Sequence, residues 1–552
     1  MGAICRSTLC SIFSMSCTHY QHMFEVALSL GIFSYGVFFL GLLGFLYPPV
    51  LITYTLLFGI VFAFRSKTSI AQGIKKMRNA EYSPILLLGI AYLVVQAGVN
   101  SIGLLGPEIG FDAVWYHLTL PKLYLLYHAV LHFPGGVLYY SDMPRLTEML
   151  YTVGLAFGSD SVARGIHFLF GILNCIVVYK IGRKFLSPKW SILLPVIFYS
   201  NLVVGWESIS GYIDLSRTFF STTAILAFLT WRETKEKKYF FFSAILVGLT
   251  ISTKLLTLPD LGIYAFALYF LDRKSISITK RLQSVVVFLA VAIVTALPWF
   301  VFAYIHTGNP FYPMFTNYPV GNYWQILNPL YFLQSVWDTF ARNPDPINPL
   351  FLAMIPFIIL FAKRLWKEMP LVLVFAIGGL VCWYITPQTG GGRYILPYLP
   401  VLSLVCIVII RHLSSLWKKV FLSFIIFVAC ISLVYRAGAV AKFLPVILHR
   451  ETKAHFLSTH LQYNLGDFYD IDGYFAKHIK PGDTVLLYGF HNLYYVNFPF
   501  LLSDWVKEGD RFRYVAVQGI GMPERFKYWN LIYYNTTTLV RVYSLNNQTW
   551  HY

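Results

Sequence analysis

Long apolar stretches recur along most of this 552-residue chain, and few charges interrupt them. Their length matches the hydrocarbon core of a bilayer, which is about 30 Å thick. Inside lipid, every backbone N–H and C=O group must find its partner within the protein. The apolar runs are continuous rather than alternating, so we expect helices and not barrel strands. With only 12% charged residues, the chain is predicted to be a mainly α, polytopic membrane protein.

The hydrophobic pattern predicts about thirteen spanning helices within a transmembrane domain of residues 1–437. Several are short, so tilted or re-entrant pairs are expected among them. The predicted spans are residues 24–46, 48–64, 84–105, 161–181, 190–206, 215–231, 239–253, 256–271, 283–305, 350–363, 369–386, 394–410 and 419–437.

Basic residues divide unequally between the alternate connections of these spans. One set of connections carries most of them, whereas the other contains only Lys122, Arg145, Arg217, Lys254, Arg342 and Arg393. Because positive residues are retained on the cytoplasmic side, the net charge of +18 indicates topology and not nucleic-acid binding. We expect a multi-pass protein of the cell membrane with a cytoplasmic N-terminus and an extracytoplasmic segment after Arg436.

Polar residues interrupt the apolar pattern at the predicted outer ends of the spans. The segment GFDAVWYHL is followed by TLP, and together they place Asp112, Trp115, Tyr116 and Thr119 on one helical face. Pro121 is expected to kink or end that turn. Trp and Tyr suit the headgroup region, so the segment predicts an interfacial helix. Asp112 is either a functional acid or only the cap of this helix.

Further charged residues follow at the next outer turns. Glu207 and Asp214 flank one turn, and Asp214 either caps a helix or pairs with Arg217. Lys254, within GLTISTKLLTLP, either extends to the membrane interface or needs an anionic partner. Arg393 follows three glycines in QTGGGRYILPYLP, where it suits either lipid headgroups or a bound phosphate.

Cofactor motifs are scarce in this sequence. His117, His128, His132 and His306 share the predicted outer face but lack the spacing of a zinc site. The chain also lacks a nucleotide-binding phosphate loop and a nucleophile elbow. We therefore expect no metal or other cofactor, with a divalent metal as the alternative.

Residues 438–552 differ from the apolar region in their sequence pattern, with short apolar runs separated by polar and turn residues. KPGDTVLLYG, RYVAVQ and LIYYNTTTLVRVYSL predict strands, and HNLYYVNF predicts the start of a helix. A small extracytoplasmic α/β domain is expected, which shapes or covers the outer face of the membrane domain.

The order of these motifs resembles the GT-C superfamily of membrane glycosyltransferases, particularly the bacterial relatives of protein O-mannosyltransferases and of the lipid A aminoarabinose transferase. The resemblance covers residues 84–410 and rests on GFDAVWYHL, Asp214, GLTISTK, GNPFYP and GGRYILPYLP. It implies a lipid-linked sugar donor and a general base at Asp112. It further implies that donor or acceptor is bound by Glu207, Asp214, Lys254 and Arg393, and we predict the same role for Glu108, Tyr116 and His117.

One departure from the family pattern concerns the first outer loop. Many relatives have two adjacent acids there, whereas Asp112 is followed by Ala113 and the other acid is Glu108, upstream. The role of Glu108 is therefore an open question.

The residues suit this chemistry independently of the resemblance. Lys254 and Arg393 would neutralise the leaving phosphate of a polyprenyl-phosphate sugar. Asp112 would take the proton of an acceptor hydroxyl, on a lipid, glycan or protein, and direct displacement would invert the anomeric configuration. The alternatives are a polysaccharide polymerase or ligase, a lipid-linked glycan transporter and a non-catalytic assembly factor. A transporter is expected to place polar residues near the middle of the membrane, in two related halves.

Overall fold

Helices make up most of the apolar part of the chain in the computed structural model, which describes residues 18–78, 83–271, 276–316, 326–386, 388–545 and 548–552. The α-helices of this part are α1 (Thr18–Leu42), α2 (Pro48–Arg78), α3 (Pro84–Gly103), α4 (Thr119–Tyr127), α5 (Leu146–Ala156), α6 (Asp160–Arg183), α7 (Pro188–Ser191), α8 (Leu193–Tyr199), α9 (Leu202–Glu207), α10 (Asp214–Thr234), α11 (Lys237–Thr253), α12 (Asp260–Phe270), α13 (Ile278–Thr307), α14 (Pro329–Trp337), α15 (Leu350–Ala353), α16 (Ile355–Glu368), α17 (Pro370–Ile385), α18 (Leu399–His412) and α19 (Ser415–Ala441).

Each predicted span coincides with helical structure, which confirms a multi-pass helical membrane protein. Among the described residues, six helices are long and apolar enough to cross a membrane: Tyr20–Leu42, Pro84–Gly103, Asp160–Arg183, Ile278–Thr307, Gly391–His412 and Ser415–Ala441. The span predicted at 190–206 is instead divided into α7, α8 and α9. One break follows from Asn201, whose amide donates to the carbonyls of Ile197 and Phe198 at the end of α8.

The helix bundle has two ends that differ in their polar contacts. At one end, Lys184 Nζ lies 2.7 Å from Glu233 Oε2 and over the ring of Tyr20. The start of α1 and the ends of α6 and α10 therefore meet there, as the alternation of connections predicted. The opposite end carries Asp112, the turn before α10 and the C-terminal domain, and we call it the site end.

The segment between α3 and α5 lies at the site end. A π-helical turn, Ala113–His117, precedes α4. Pro121 lies in the first turn of α4 and has no N–H to donate to the carbonyl of His117. The π-helical turn changes to an α-helix just before this residue. The prediction of an interfacial helix is wrong, because Tyr116 and His117 are buried within the protein.

The C-terminal domain is an α/β unit, as predicted. It contains the helices α20 (Leu444–Ile447), α21 (Lys453–His460) and α22 (Tyr474–His478), and the strands β1 (Val485–Tyr488), β2 (Phe500–Leu502), β3 (Arg511–Phe512), β4 (Tyr514–Gln518), β5 (Asn530–Asn535), β6 (Val540–Ser544) and β7 (Trp550–His551). One sheet has the order β2-β1-β4-β6-β5, parallel across β2-β1-β4 and antiparallel across β4-β6-β5, and β3 pairs with β7.

The helix predicted at HNLYYVNF is absent from the described structure, because this segment attaches the C-terminal domain to the bundle. The Tyr494 N–H donates to Val114 O at 3.2 Å. Lys122 Nζ donates to Tyr494 O, Val496 O and Asn497 Oδ1 at 2.6–2.9 Å. These contacts use backbone groups that a helix would pair internally, so the segment stays irregular.

A second attachment lies further along the same domain. Asp504 Oδ2 accepts the N–H groups of Gly136 and Val137 at 2.8 and 2.9 Å. Together with Lys122, this carboxylate holds the C-terminal domain against the segment that carries Asp112.

Candidate active site

Two ion pairs lie together at the site end. Arg393 Nη1 donates to Asp112 Oδ2 at 2.8 Å, and Lys254 Nζ donates to Asp214 Oδ1 at 2.7 Å. Asp112 directly precedes the π-helical turn, and Arg393 lies in the 3-10 segment Gln388–Tyr398 before α18. Lys254 directly follows α11, and Asp214 is the first residue of α10. Asp214 is fully buried, whereas the other three side chains remain 13–18% exposed. Two cations and one carboxylate are therefore partly exposed at the same place.

Tyrosine rings hold the two cations in place. The Arg393 guanidinium lies 4.6 Å from the ring centroid of Tyr212, and Lys254 Nζ lies 4.8 Å from that of Tyr394. The Tyr212 hydroxyl also accepts the backbone N–H of Asp112 at 3.1 Å. Tyr212 thus contacts both members of the first ion pair. Sequence reasoning missed both tyrosines, although each is adjacent or close to a predicted charge.

The purely structural roles that the sequence also allowed for Asp112, Lys254 and Asp214 do not agree with the structure. Asp112 precedes the π-helical turn but makes no side-chain capping bond. Lys254 is largely buried on Asp214 rather than extended to a membrane surface. Arg217 is buried, and its Nε and Nη1 atoms have no hydrogen-bond partner among the described residues, so it is not the partner of Asp214.

Glu108 is a buried backbone-binding residue. Its Oε1 accepts the N–H of Gly110 at 2.7 Å, and its Oε2 accepts that of Gly211 at 2.7 Å. Burial raises the pKa of this carboxyl, and the charge of Arg164, 3.8 Å away, opposes that shift. Glu108 therefore joins the turn before Asp112 to the turn before α10. Arg164 escaped sequence reasoning because it falls inside a predicted span.

His117 and Tyr116 lie on the π-helical turn beside Asp112. His117 Nδ1 donates to Glu148 Oε1 at 2.8 Å, and Arg145 Nη1 lies 3.7 Å from the same oxygen. Burial lowers the pKa of His117, and the hydrogen bond to Glu148 opposes that change. The Tyr116 ring stacks on Tyr140 with centroids 3.6 Å apart. Both predicted residues are thus fixed by neighbours from the segment between α4 and the end of α5.

Glu207 ends α9 and is fully buried, and neither carboxylate oxygen has a hydrogen-bond partner among the described residues. His167 Nε2, 3.6 Å from Glu207 Oε2, accepts the N–H of Leu215, while His167 Nδ1 lies 3.1 Å from Ser210 O. The proton of this imidazole is therefore on Nδ1, and His167 donates nothing to Glu207. The nearby cations that act on Glu207 are those of the two ion pairs.

The predicted outer-face histidines do not gather into a metal site. His132 bonds to Asp142 at 2.9 Å and stacks on His306 with centroids 5.2 Å apart. No group of three or more His, Cys, Asp or Glu residues suited to a metal occurs in the part of the chain that the structure describes.

An apolar groove of about 420 Å³ lies between α12 and α17. Ile263, Phe266, Trp366, Ile377 and Val381 are among its lining residues. The chain passes through Lys254 shortly before α12 and reaches Arg393 shortly after α17, so each side of the groove is joined to one cation of the site.

Two solved structures share this fold over most of the chain. The first is ArnT from Cupriavidus metallidurans in the apo state, with a TM-score of 0.57 and 14% identity; the match covers 83% of this chain and 97% of ArnT. The second is the same protein bound to undecaprenyl phosphate, with a TM-score of 0.53 and 15% identity; the match covers 83% of this chain and 98% of ArnT. No family model and no curated protein sequence matches the chain. The chain therefore shares the fold of ArnT, in agreement with the helical membrane fold that the order of its motifs predicted.

Replacing Lys254 by Met is expected to destabilise the protein by about 3–5 kcal/mol, because the buried Asp214 carboxylate loses its cation. Adding Asp214→Asn to the same chain should recover most of this loss, since no unpaired charge remains. Thermal unfolding of the purified protein in detergent measures both changes. Equal destabilisation of the single and double variants would contradict the pairing.

Proposed function

We propose that the protein is a membrane glycosyltransferase, which moves a sugar from a polyprenyl-phosphate donor to an acceptor hydroxyl on a lipid, glycan or protein. The observation that carries this proposal is the meeting of the Asp112–Arg393 and Asp214–Lys254 pairs at one end of a GT-C bundle. Asp112 would take the proton of the acceptor hydroxyl, and Arg393 and Lys254 would bind the donor phosphate. ArnT, which shares the fold, has been solved with undecaprenyl phosphate bound.

The donor phosphate is proposed to exchange places with Asp112 on Arg393. Without substrate, Arg393 Nη1 donates to Asp112 Oδ2. A phosphate group can accept two parallel hydrogen bonds from the guanidinium, and Lys254 is proposed to contact the same phosphate and offset part of its negative charge. Asp112 is then released to accept a proton, so donor binding prepares the base.

The transfer step is a single displacement. The acceptor oxygen bonds to the anomeric carbon while the bond from that carbon to the phosphate oxygen breaks, and polyprenyl phosphate leaves with the electron pair. The acceptor proton moves to Asp112, and the two cations stabilise the charge that develops on the phosphate. Attack from the face opposite the leaving group inverts the anomeric configuration.

The remaining predicted residues divide into two groups. Asp214 acts by holding Lys254, and Glu108 acts by holding the turn before Asp112 through backbone N–H groups. Tyr116, His117 and Glu207 surround the ion pairs and are proposed to contact the sugar or the acceptor.

The apolar groove between α12 and α17 is proposed to hold the isoprenoid chain of the donor. Its lining is apolar, and its two helices are joined to Lys254 and Arg393, which would hold the phosphate. The lipid would therefore lie with its tail along the bundle and its headgroup at the ion pairs.

The site end is proposed to face outward, with the N-terminus in the cytoplasm and the C-terminal domain outside the cell membrane. Support comes from the basic connections, which favour the opposite end. A sugar activated on the lipid needs no nucleotide site, in agreement with the absence of a phosphate-loop motif from the sequence.

Two other functions use the same lipid substrate. A polysaccharide polymerase or ligase is the nearer alternative, and it differs in the acceptor. A lipid-linked glycan transporter fits less well, because the charges of the site lie at helix ends rather than on broken helices near the middle of the membrane.

Asp112→Asn is expected to lower sugar transfer at least about a hundredfold, because the amide cannot take the acceptor proton. Folding should be retained with some loss of stability, since the amide oxygen can still accept from Arg393 but no longer offsets its charge. The assay follows loss of sugar from purified polyprenyl-phosphate donors. Asp338→Asn, at a partly exposed acid beyond α14, is the matched control, and substantial transfer by Asp112→Asn would remove this residue from the base role.

Gly262→Trp is expected to weaken binding of long-chain donors at least about tenfold, because the indole would fill the groove where a Cβ meets nothing within 4 Å. Donors with a short isoprenoid chain should react as with the unaltered protein. Gly98→Trp is the control, since Gly98 is equally open and lies on α3. Equal KM values for both chain lengths in Gly262→Trp would place the tail elsewhere.

A further inference from the structure

A polar pocket of about 380 Å³ lies between the bundle and the C-terminal domain. Its lining includes Lys122, the residues 158–160 at the start of α6, Lys453 at the start of α21, and the pair Tyr494 and Tyr495. Asp112 and Arg393 do not line it, so it is separate from the proposed reaction centre.

The domain interface already fixes the shape of this pocket. Lys122 holds the segment 494–497 through three hydrogen bonds. The Tyr495 hydroxyl donates to Glu108 O at 2.7 Å, and the Tyr494 N–H donates to Val114 O. A ligand would therefore enter a preformed cavity and would not have to order its walls.

Several polar groups of the pocket have unused hydrogen-bonding capacity. The Asp160 side chain is 19% exposed at the pocket, and its buried Oδ2 atom lies 3.9 Å from Arg164 Nη2 without a hydrogen-bond partner among the described residues, so the exposed part of the carboxylate can accept from a ligand. Lys453 Nζ lies 4.9 Å from the ring centroid of Tyr495 and forms no ion pair with a described carboxylate. Asn497 Oδ1 accepts from Lys122, which leaves its amide N–H groups for a ligand. One acceptor, two donors and two tyrosines thus share one cavity.

This combination selects among ligand classes. The lining combines one acid, Asp160, with two lysines, Lys122 and Lys453, and this mixed polar lining suits a neutral polar ligand better than a lipid tail. A sugar ring has hydroxyls that both donate and accept hydrogen bonds, and an apolar C–H face that packs on an aromatic ring. The volume is within the range of about 300–1,000 Å³ that is usual for small-molecule sites.

We infer that this pocket binds a saccharide unit, held by Asp160, Lys453 and Asn497 against the tyrosine pair. The site is a second carbohydrate-binding site, and it requires no reaction at Asp112. In this respect the inference goes beyond the proposed transferase function and stands or falls separately from it.

Saturation-transfer NMR on the full-length protein in lipid nanodiscs tests the inference. The probes are glucose, galactose, mannose, N-acetylglucosamine and disaccharides made from them. At least one probe is expected to bind, and Lys453→Ala and Asp160→Asn should each raise its Kd at least about tenfold, as loss of a hydrogen bond to a charged group entails. Lys507→Ala, an exposed lysine of the same domain, and Asp112→Asn should leave binding unchanged.

Three results would overturn the inference. The first is that no probe binds the unaltered protein. The second is that binding survives in both Lys453→Ala and Asp160→Asn. The third is that binding is lost in Asp112→Asn but kept in the pocket variants, which would place the sugar at the reaction centre. Sugar transfer measured on the same variants reports on the proposed function independently.

Discussion

A charge that lies beside the hydrocarbon core needs an opposite charge or a water-filled cavity, because burying it unpaired costs several kcal/mol. Asp214 meets this constraint through Lys254, and Asp112 meets it through Arg393. The four residues are distant in sequence, so each pair fixes two helix ends against each other. The organisation of the site end follows from these pairs, and Glu108 reinforces it by joining two backbone turns.

The same pairs explain how one site serves both stability and chemistry. Before substrate binds, Arg393 and Lys254 each have a protein carboxylate as partner. In the proposed reaction, a donor phosphate replaces Asp112 on Arg393, so the cation keeps an anionic partner and Asp112 becomes available only when the donor is present. Asp214 is fully buried beside Lys254, so the proposed function gives Asp214 a positioning role and Asp112 the reacting role.

Much of this arrangement was predictable from the sequence, because membrane insertion imposes simple rules. The helices follow from apolar length, and the shared location of Asp112, Asp214, Lys254 and Arg393 follows from the alternation of connections. Their pairing did not follow, since it depends on which helix ends pack together. Tyr212 was missed for the same reason: its contacts with Asp112 and Arg393 arise only in the folded bundle.

The segment around HNLYYVNF shows a different limit. Its local pattern favours a helix, but Lys122 and Val114 from the bundle take its backbone groups. Contacts between domains thus override local propensity in this segment. The polar pocket at this interface forms only when the C-terminal domain packs on the bundle. No sequence motif in either domain alone predicts it.

Incubation of the purified protein in nanodiscs with radiolabelled polyprenyl-phosphate sugars and, in parallel, nucleotide sugars tests the central claim most directly. The account predicts that label leaves at least one lipid-linked donor, that free polyprenyl phosphate accumulates, and that nucleotide sugars remain intact. Intact lipid donors together with consumption of a nucleotide sugar would contradict it.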